Sequence, residues 1–365
     1  MNKKKEVMLI LTEGCNLACS YCFEHYKTHK KMDFETAKRI IDQEMTSEDG
    51  TEECQFTMFG GEPFLEFDLI RKIYDYIEKN ISTWNKRAFI FVNTNGTLTN
   101  EEAKEWLEKR KKYIVCGLSL DGTKEMHDRN RSGSFDKIDL EFYKKCWPGQ
   151  LVKMTVSKET LPMLAEGVMF IHELGYGCGC TFAYGIEWSQ RLIEVLEEQL
   201  EILVNYYIDH PEVKLCKILD IDFAGILKTP QTNFKRCGAG TAMKAYDTEG
   251  NLYPCHTFSP VGLGEEAARF INYKLPETDI VDEEHCIQCK YYLICPTCYG
   301  ANYIYTGSVS KRSQWLCEFF KLCVKASAHI QLWRLKDKNA NDYELHDYAT
   351  LKAIESIIKL DESEG

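Results

Sequence analysis

The sequence predicts an α/β fold with a parallel sheet, then a small cysteine-rich domain and a C-terminal helix. Three observations predict it. Six short apolar runs alternate with amphipathic stretches before residue 210, the order that strand–helix–strand units require. After Asp209-His210-Pro211 that periodicity fades, and cysteine, glycine, proline and tyrosine become frequent. The chain also carries 17 cysteines in 365 residues. With no export signal, that many thiols fit metal or cluster ligation in a reducing compartment better than disulfides. The expected domains are residues 1–210, 211–325 and 326–365.

Candidate strands are residues 7–12, 55–59, 88–93, 113–120, 151–156 and 181–184. Helices are expected to begin near Asp33, Glu66, Asn100, Phe135, Leu161 and Ser189. Asp33 before Glu35, and Asn100 before Glu101 and Glu102, are N-cap signals. Periodicity leaves open whether the sheet is flat or curled into a barrel. Leu345, Tyr348, Leu351, Ile354 and Ile358 share one face of a final docked helix, and residues 361–365 are expected to fray.

Lys and Arg number 45 against 56 Asp and Glu, a formal charge of −11. That balance disfavours nucleic acid and anionic membrane as partners. No run approaches the ~18 apolar residues of a membrane helix. The apolar run at residues 7–11 is too short for a signal peptide, so the expected compartment is the cytoplasm.

The strongest local signal is Cys15-Asn-Leu-Ala-Cys19-Ser-Tyr-Cys22, directly after the first strand. In a parallel β/α fold this is the carboxyl edge, where sites are built. Three thiolates suit three irons of a [4Fe–4S] cluster and leave the fourth iron open. The bland alternatives are a partial zinc site completed by His25, or three inert thiols. Glu13, Asn16 and Ser20 make the loop polar and count against the latter.

With Tyr21 before the third cysteine, this pattern resembles the radical S-adenosylmethionine (SAM) enzymes. Phe59-Gly60-Gly61-Glu62-Pro63 resembles the family's GGE motif and follows the second strand. Asn93-Thr94-Asn95-Gly96 ends the third. Ser119-Leu120-Asp121-Gly122 ends the fourth, and His127-Asp128-Arg129-Asn130-Arg131 follows. Alone, the Gly-Gly-Glu-Pro and Ser-Leu-Asp-Gly segments read as turns; their order strengthens them. The resemblance spans roughly residues 5–210 and implies a partial (β/α)6 TIM-like barrel. It implies that Gly60, Gly61 and Glu62 bind the SAM amino group. Ser119 and Arg131 would meet its carboxylate or ribose, and Tyr21 and Asn95 would line the same face.

The C-terminal half carries Cys237, Gly250, Cys255, Cys286, Cys289, Cys295, Cys298 and Cys317. This spacing resembles the SPASM domain, although Cys295 and Cys298 are separated by two residues where the family usually has three. The resemblance implies two auxiliary [4Fe–4S] clusters, three clusters in all. Cys237, Cys255 and Cys298 would hold the first; Cys286, Cys289, Cys295 and Cys317 the second. Cys216 would supply the first cluster's fourth ligand, or that iron stays open for a substrate thiolate. A zinc ribbon is the structural alternative, but the two CxxC pairs are close together for one. Cys54, Cys116, Cys178, Cys180 and Cys323 read as packing residues.

The resemblance implies that a reduced cluster cleaves SAM to a 5′-deoxyadenosyl radical, which takes a hydrogen from the substrate. The auxiliary clusters would then accept an electron as a thioether or C–C crosslink forms in a ribosomally made precursor peptide. Gly250-Asn-Leu-Tyr-Pro-Cys255-His256 resembles thioether-forming maturases. Sulfatase maturases, which oxidise Cys or Ser to formylglycine, carry an Asp base where His256 stands. His256 is a candidate base or a donor to cluster sulfur. The remaining alternative is a non-catalytic iron–sulfur electron carrier. The first strand begins near Val7, so a separate leader-binding protein, or direct binding of the substrate, is expected. A flavodoxin or ferredoxin is the implied electron donor.

Overall fold

A computed structural model describes residues 4–227, 235–336, 338 and 342–364, with residues 358–364 given by backbone alone. Strands and helices alternate in the expected order: β1 (Lys4–Thr12), α1 (Phe34–Thr46), β2 (Glu53–Gly60), α2 (Phe67–Asn80), β3 (Arg87–Thr94), α3 (Glu101–Arg110) and β4 (Ile114–Leu118). There follow α4 (Lys124–Asn130), α5 (Leu140–Cys146), β5 (Leu151–Val156), α6 (Leu164–Glu173), β6 (Gly177–Phe182) and α7 (Gln190–Asp209). The α/β class and the six strand–helix units stand as predicted. Contacts divide the chain into two compact units, residues 1–153 with 238–276, and residues 154–237 with 277–365.

In the first unit, β1 to β4 pair in parallel, and a short hairpin of β7 (Met243–Tyr246) and β8 (Leu252–Tyr253) extends the sheet. The order is β4-β3-β2-β1-β7-β8, with β7 parallel to β1. This placement explains the continuous apolar run in β1. Val7, Leu9 and Leu11 are fully buried, and Met8 and Ile10 nearly so, as befits a strand flanked on both edges and covered on both faces. The caps form as read: Asp33 accepts from the Thr36 amide at 2.7 Å, and Asn100 from the Ala103 amide at 3.0 Å. Lys5 on β1 meets Glu44 of α1 at 2.7 Å in near-complete burial, and Tyr246 of β7 donates to the same carboxylate at 2.6 Å. The hairpin is followed by α8 (Pro260–Leu263).

The second unit holds the end of β5, then α6, β6 and α7. Its later part has α9 (Glu284–Ile287), α10 (Tyr299–Thr306), α11 (Gln314–Lys336) and α12 (Leu345–Glu364). One apolar cluster gathers Phe223, Tyr291, Ile294, Val324, Ala353, Ile354 and Ile357.

Four local expectations need correction. The sixth strand lies at Gly177–Phe182, not 181–184, because the alternating Gly-Cys-Gly-Cys run turns both thiols inward. The helices expected at Phe135 and Leu161 begin as single 3₁₀ turns, and α5 and α6 start three to five residues later. Helix α4 was not foreseen; Thr123 caps it by accepting from the Met126 amide. On α12 the docked face is Ala353, Ile354 and Ile357, whereas Leu345 is 88% exposed. The fraying expected at 361–365 falls where side chains lie outside the described residues.

Candidate functional site

The cysteine loop and the Gly-Gly-Glu loop are built against each other at the carboxyl ends of β1 and β2. The Gly61 amide donates to Thr12 O at 3.0 Å, and the Glu62 amide to Gly14 O at 2.9 Å. The approach is so close that only glycine fits. A Cβ on Gly60 would stand 2.1 Å from Thr12 O, and one on Gly61 2.1 Å from Gly14 O. Gly60 also has φ +130°, outside the range of ordinary side chains.

Glu62 is 1% exposed, and its carboxylate is held by protein. Oε1 accepts from the Phe64 amide at 3.0 Å and Thr94 Oγ1 at 2.8 Å; Oε2 accepts from the Asn95 amide at 2.8 Å. Burial pushes this carboxyl up to about 7 against the pull of those bonds and of Arg131. Asn95 in turn donates to Asn16 Oδ1 at 2.9 Å, inside the cysteine loop. The ends of β2, β3 and the cysteine loop are thus one hydrogen-bonded assembly.

A second assembly centres on Asp121, which is fully buried. Its carboxylate accepts from Arg131 Nε at 2.9 Å, Arg131 Nη2 at 3.2 Å and Tyr21 Oη at 2.7 Å. The Arg131 guanidinium also lies over the Tyr21 ring at 5.5 Å. The Asp121 amide donates to His127 Nδ1 at 3.2 Å, and burial pushes that imidazole down to about 4. Ser119 is half-buried, with its amide bonded to Thr94 O at 2.9 Å. The structure therefore brings Tyr21, Gly60, Gly61, Glu62, Asn95, Ser119 and Arg131 to the same strand ends. Sequence reading quoted Asp121 only as part of a turn and gave it no role. Its pairing with Arg131, ten residues on, follows no helical or strand period.

Cys15, Cys19 and Cys22 are half-buried, and Cys15 and Cys22 both act electrostatically on Cys19. Burial pushes the Cys19 thiol up to about 11 and raises Cys15. Lys27 Nζ donates to Cys22 Sγ at 3.2 Å. Among the described residues, the one group of three or more metal donors within 4.8 Å of each other is Glu283, His285 and Cys286. A tetrahedral zinc with Zn–S of ~2.3 Å needs sulfurs ~3.8 Å apart. Among the described residues, no three thiols of either cysteine set lie all within 4.8 Å of one another.

Cys255 is buried at the end of β8, and His256 follows it. The His256 ring lies 4.6 Å from Phe59 and 5.6 Å from Phe23, with Nδ1 3.2 Å from Met8 Sδ. Burial, with the charge of Lys153 added, pushes this imidazole down to about 3. It stays neutral near pH 7, and it is a weak base there.

In the second unit, Cys286, Cys289, Cys295 and Cys317 all line one cavity of about 390 Å³, together with Cys298 and Cys180. The Tyr184 side chain hydrogen-bonds to Cys298 and faces Cys237. Burial holds the Tyr184 phenol above its ordinary range, so it is a protonated donor. Sequence reading overlooked Tyr184. Cys216 is fully buried and hydrogen-bonds to Cys180, and its amide donates to Tyr207 Oη at 2.9 Å. Cys54, Cys116, Cys178 and Cys180 are fully buried and Cys323 nearly so, as packing thiols are.

Known proteins resemble this chain in sequence and in fold. Residues 9–140 match the family model of the radical SAM superfamily. A cysteine-type anaerobic sulfatase-maturating enzyme of Clostridium perfringens (strain ATCC 13124) is 30% identical over 322 residues, covering 78% of this chain and 85% of that protein. The subtilosin biosynthesis protein AlbA of Bacillus subtilis is 35% identical over 266 residues, 68% of this chain and 54% of AlbA. The uncharacterized protein MJ0907 of Methanocaldococcus jannaschii is 35% identical over 178 residues; the match covers 47% of this chain and 59% of MJ0907. Among solved structures, native anSMEcpe with bound AdoMet superposes with a TM-score of 0.70 at 20% identity, over 90% of this chain and 98% of that one. That likeness establishes the shared fold. No described helix is long and apolar enough to cross a membrane. The chain belongs to the radical SAM superfamily, among its SPASM-type members.

Proposed function

We propose that the protein is a radical SAM maturase that forms an oxidative crosslink, thioether or C–C, in a ribosomally made precursor peptide. The radical SAM family binds SAM and a [4Fe–4S] cluster. In this reading Cys15, Cys19 and Cys22 hold that cluster. Cys286, Cys289, Cys295 and Cys317 hold an auxiliary one, and Cys237, Cys255 and Cys298 contribute to another. When bound, these groups supply one-electron cleavage of SAM, hydrogen abstraction and an acceptor for the substrate's electron.

The chain's own residues orient and enclose. Arg131 commits Nε and Nη2 to Asp121, which fixes its plane and leaves Nη1 to meet a carboxylate. Glu62 and Asn95 fasten the strand ends so that the Gly60 and Gly61 backbone lines the cofactor face.

The observation that carries the proposal is the second set of cysteines around one cavity, which SAM cleavage by itself does not need. Sulfatase-type oxidation is the second reading, supported by the 30%-identical relative. His256 weighs against it, because an imidazole packed on Phe59 and Phe23 stands where those enzymes carry a carboxylate base. A plain electron carrier has no use for the Ser119, Arg131 and Gly-Gly-Glu assembly.

The test is anaerobic incubation with SAM and a strong reductant. The expected result is 5′-deoxyadenosine and methionine, at rates that His256→Ala changes by less than about threefold. Absence of 5′-deoxyadenosine from reconstituted protein would sink the proposal. Abolition by His256→Ala with intact iron content would restore the sulfatase-type reading.

A further inference from the structure

Beside the third cysteine of the N-terminal site stands a charged group that the proposed function does not use. Lys27 reaches back five residues to place Nζ 3.2 Å from Cys22 Sγ. It is half-buried, and it also acts electrostatically on Cys15 and Glu24.

A second observation is independent of that contact. Glu24 is only 6% exposed, and its Oε1 has no hydrogen-bond partner among the described residues. Lys27 and Lys153 are the cations that act on it. The attraction between Glu24 and Lys27 is mutual, with burial of the carboxyl opposing its ionised form.

We propose that Lys27, with Glu24 as its counterion, is a positioning residue that donates to the Cys22 sulfur of the SAM-binding cluster and raises that cluster's reduction potential. The inference rests on Cys15, Cys19 and Cys22 holding that cluster. Three thiolates make the site anionic, and one further electron makes it more so. A fixed cation bonded to a ligand sulfur therefore stabilises the reduced form more than the oxidised one. Hydrogen bonds to sulfur and local charge are the levers that set such potentials. The consequence is a larger reduced population for a given electron donor.

The experiment is a potentiometric titration, read by electron paramagnetic resonance, of the signal that SAM addition alters. Wild type, Lys27→Met, Lys27→Arg and Glu24→Gln are compared, with iron counted in each. Lys27→Met is expected to keep its iron and to lower the midpoint by at least the equivalent of a tenfold weaker hold on the electron, ~59 mV. Lys27→Arg should restore most of the shift, and Glu24→Gln should give part of it. Full iron with an unchanged midpoint in Lys27→Met overturns the inference. So does equal loss of iron in Lys27→Met and Lys27→Arg, which would mark a merely structural residue. A wild-type protein with no SAM-sensitive signal contradicts the cluster assignment itself, and the inference falls with it.

Discussion

Gly61→Ala is expected to destabilise the fold and to empty the N-terminal site, whereas Gly14→Ala, one residue from Cys15, is expected to do neither. The difference lies in what a methyl group meets. At Gly61 it would stand 2.1 Å from Gly14 O and 2.9 Å from the Cys15 nitrogen, all backbone. Backbone held by β1 and β2 cannot yield as a flexible side chain can. The loop must lift, breaking the Gly61 and Glu62 amide bonds to Thr12 O and Gly14 O. At Gly14 the nearest atom is a side-chain oxygen at 3.5 Å, an ordinary contact. A cost of ~2–4 kcal/mol is expected for Gly61→Ala and under ~1 kcal/mol for Gly14→Ala. Thermal unfolding and iron content read both. Equal behaviour of the two variants would contradict the packing of the Gly-Gly-Glu loop on the cysteine loop.

Asp121→Ala is the second large effect. The carboxylate is fully buried, and its removal leaves the nearly buried Arg131 guanidinium without its counter-charge. It also frees the Tyr21 hydroxyl, next to Cys22 in the chain. Breaking one side of a buried pair costs ~3–5 kcal/mol because the remaining charge is stranded. The double change Asp121→Ala with Arg131→Met should therefore recover part of the stability lost by Asp121→Ala alone, while SAM affinity stays low. Denaturant unfolding of the single and double variants measures this. A double variant less stable than the single by the full cost of Arg131→Met would mean that the two side chains act independently.

Much of this was legible because the residues concerned act locally. The apolar run of β1 and the caps at Asp33 and Asn100 are properties of neighbouring residues, and each formed where the sequence placed it. The cysteine loop and Gly-Gly-Glu were legible as spacing. What escaped were pairings between residues distant in the chain. Asp121 meets Tyr21 across 100 positions, and Lys5 meets Glu44 across the sheet surface, with no periodic signal for either. The shift of β6 has another cause. In Gly-Cys-Gly-Cys the small residues gave no β-propensity, although both thiols are buried. On α12 the apolar face read from the sequence extends beyond what the core can cover. Leu345 stays outside, and Ala353, absent from that reading, packs inside. His256 was legible as a position, but its packing on Phe23 and Phe59 was not, because neither is its chain neighbour.

In the proposed function one cysteine set binds a SAM-cleaving cluster while a separate set holds auxiliary clusters. Iron and acid-labile sulfide per chain, after anaerobic reconstitution, test it most directly. The comparison is wild type against the triple variant Cys15→Ala, Cys19→Ala, Cys22→Ala. Three cubanes predict about 12 irons in wild type and about eight in the variant, which should also lose all SAM cleavage. A wild-type value near four, with zinc bound in the C-terminal half, would contradict the account and leave the oxidative crosslink without its electron acceptor.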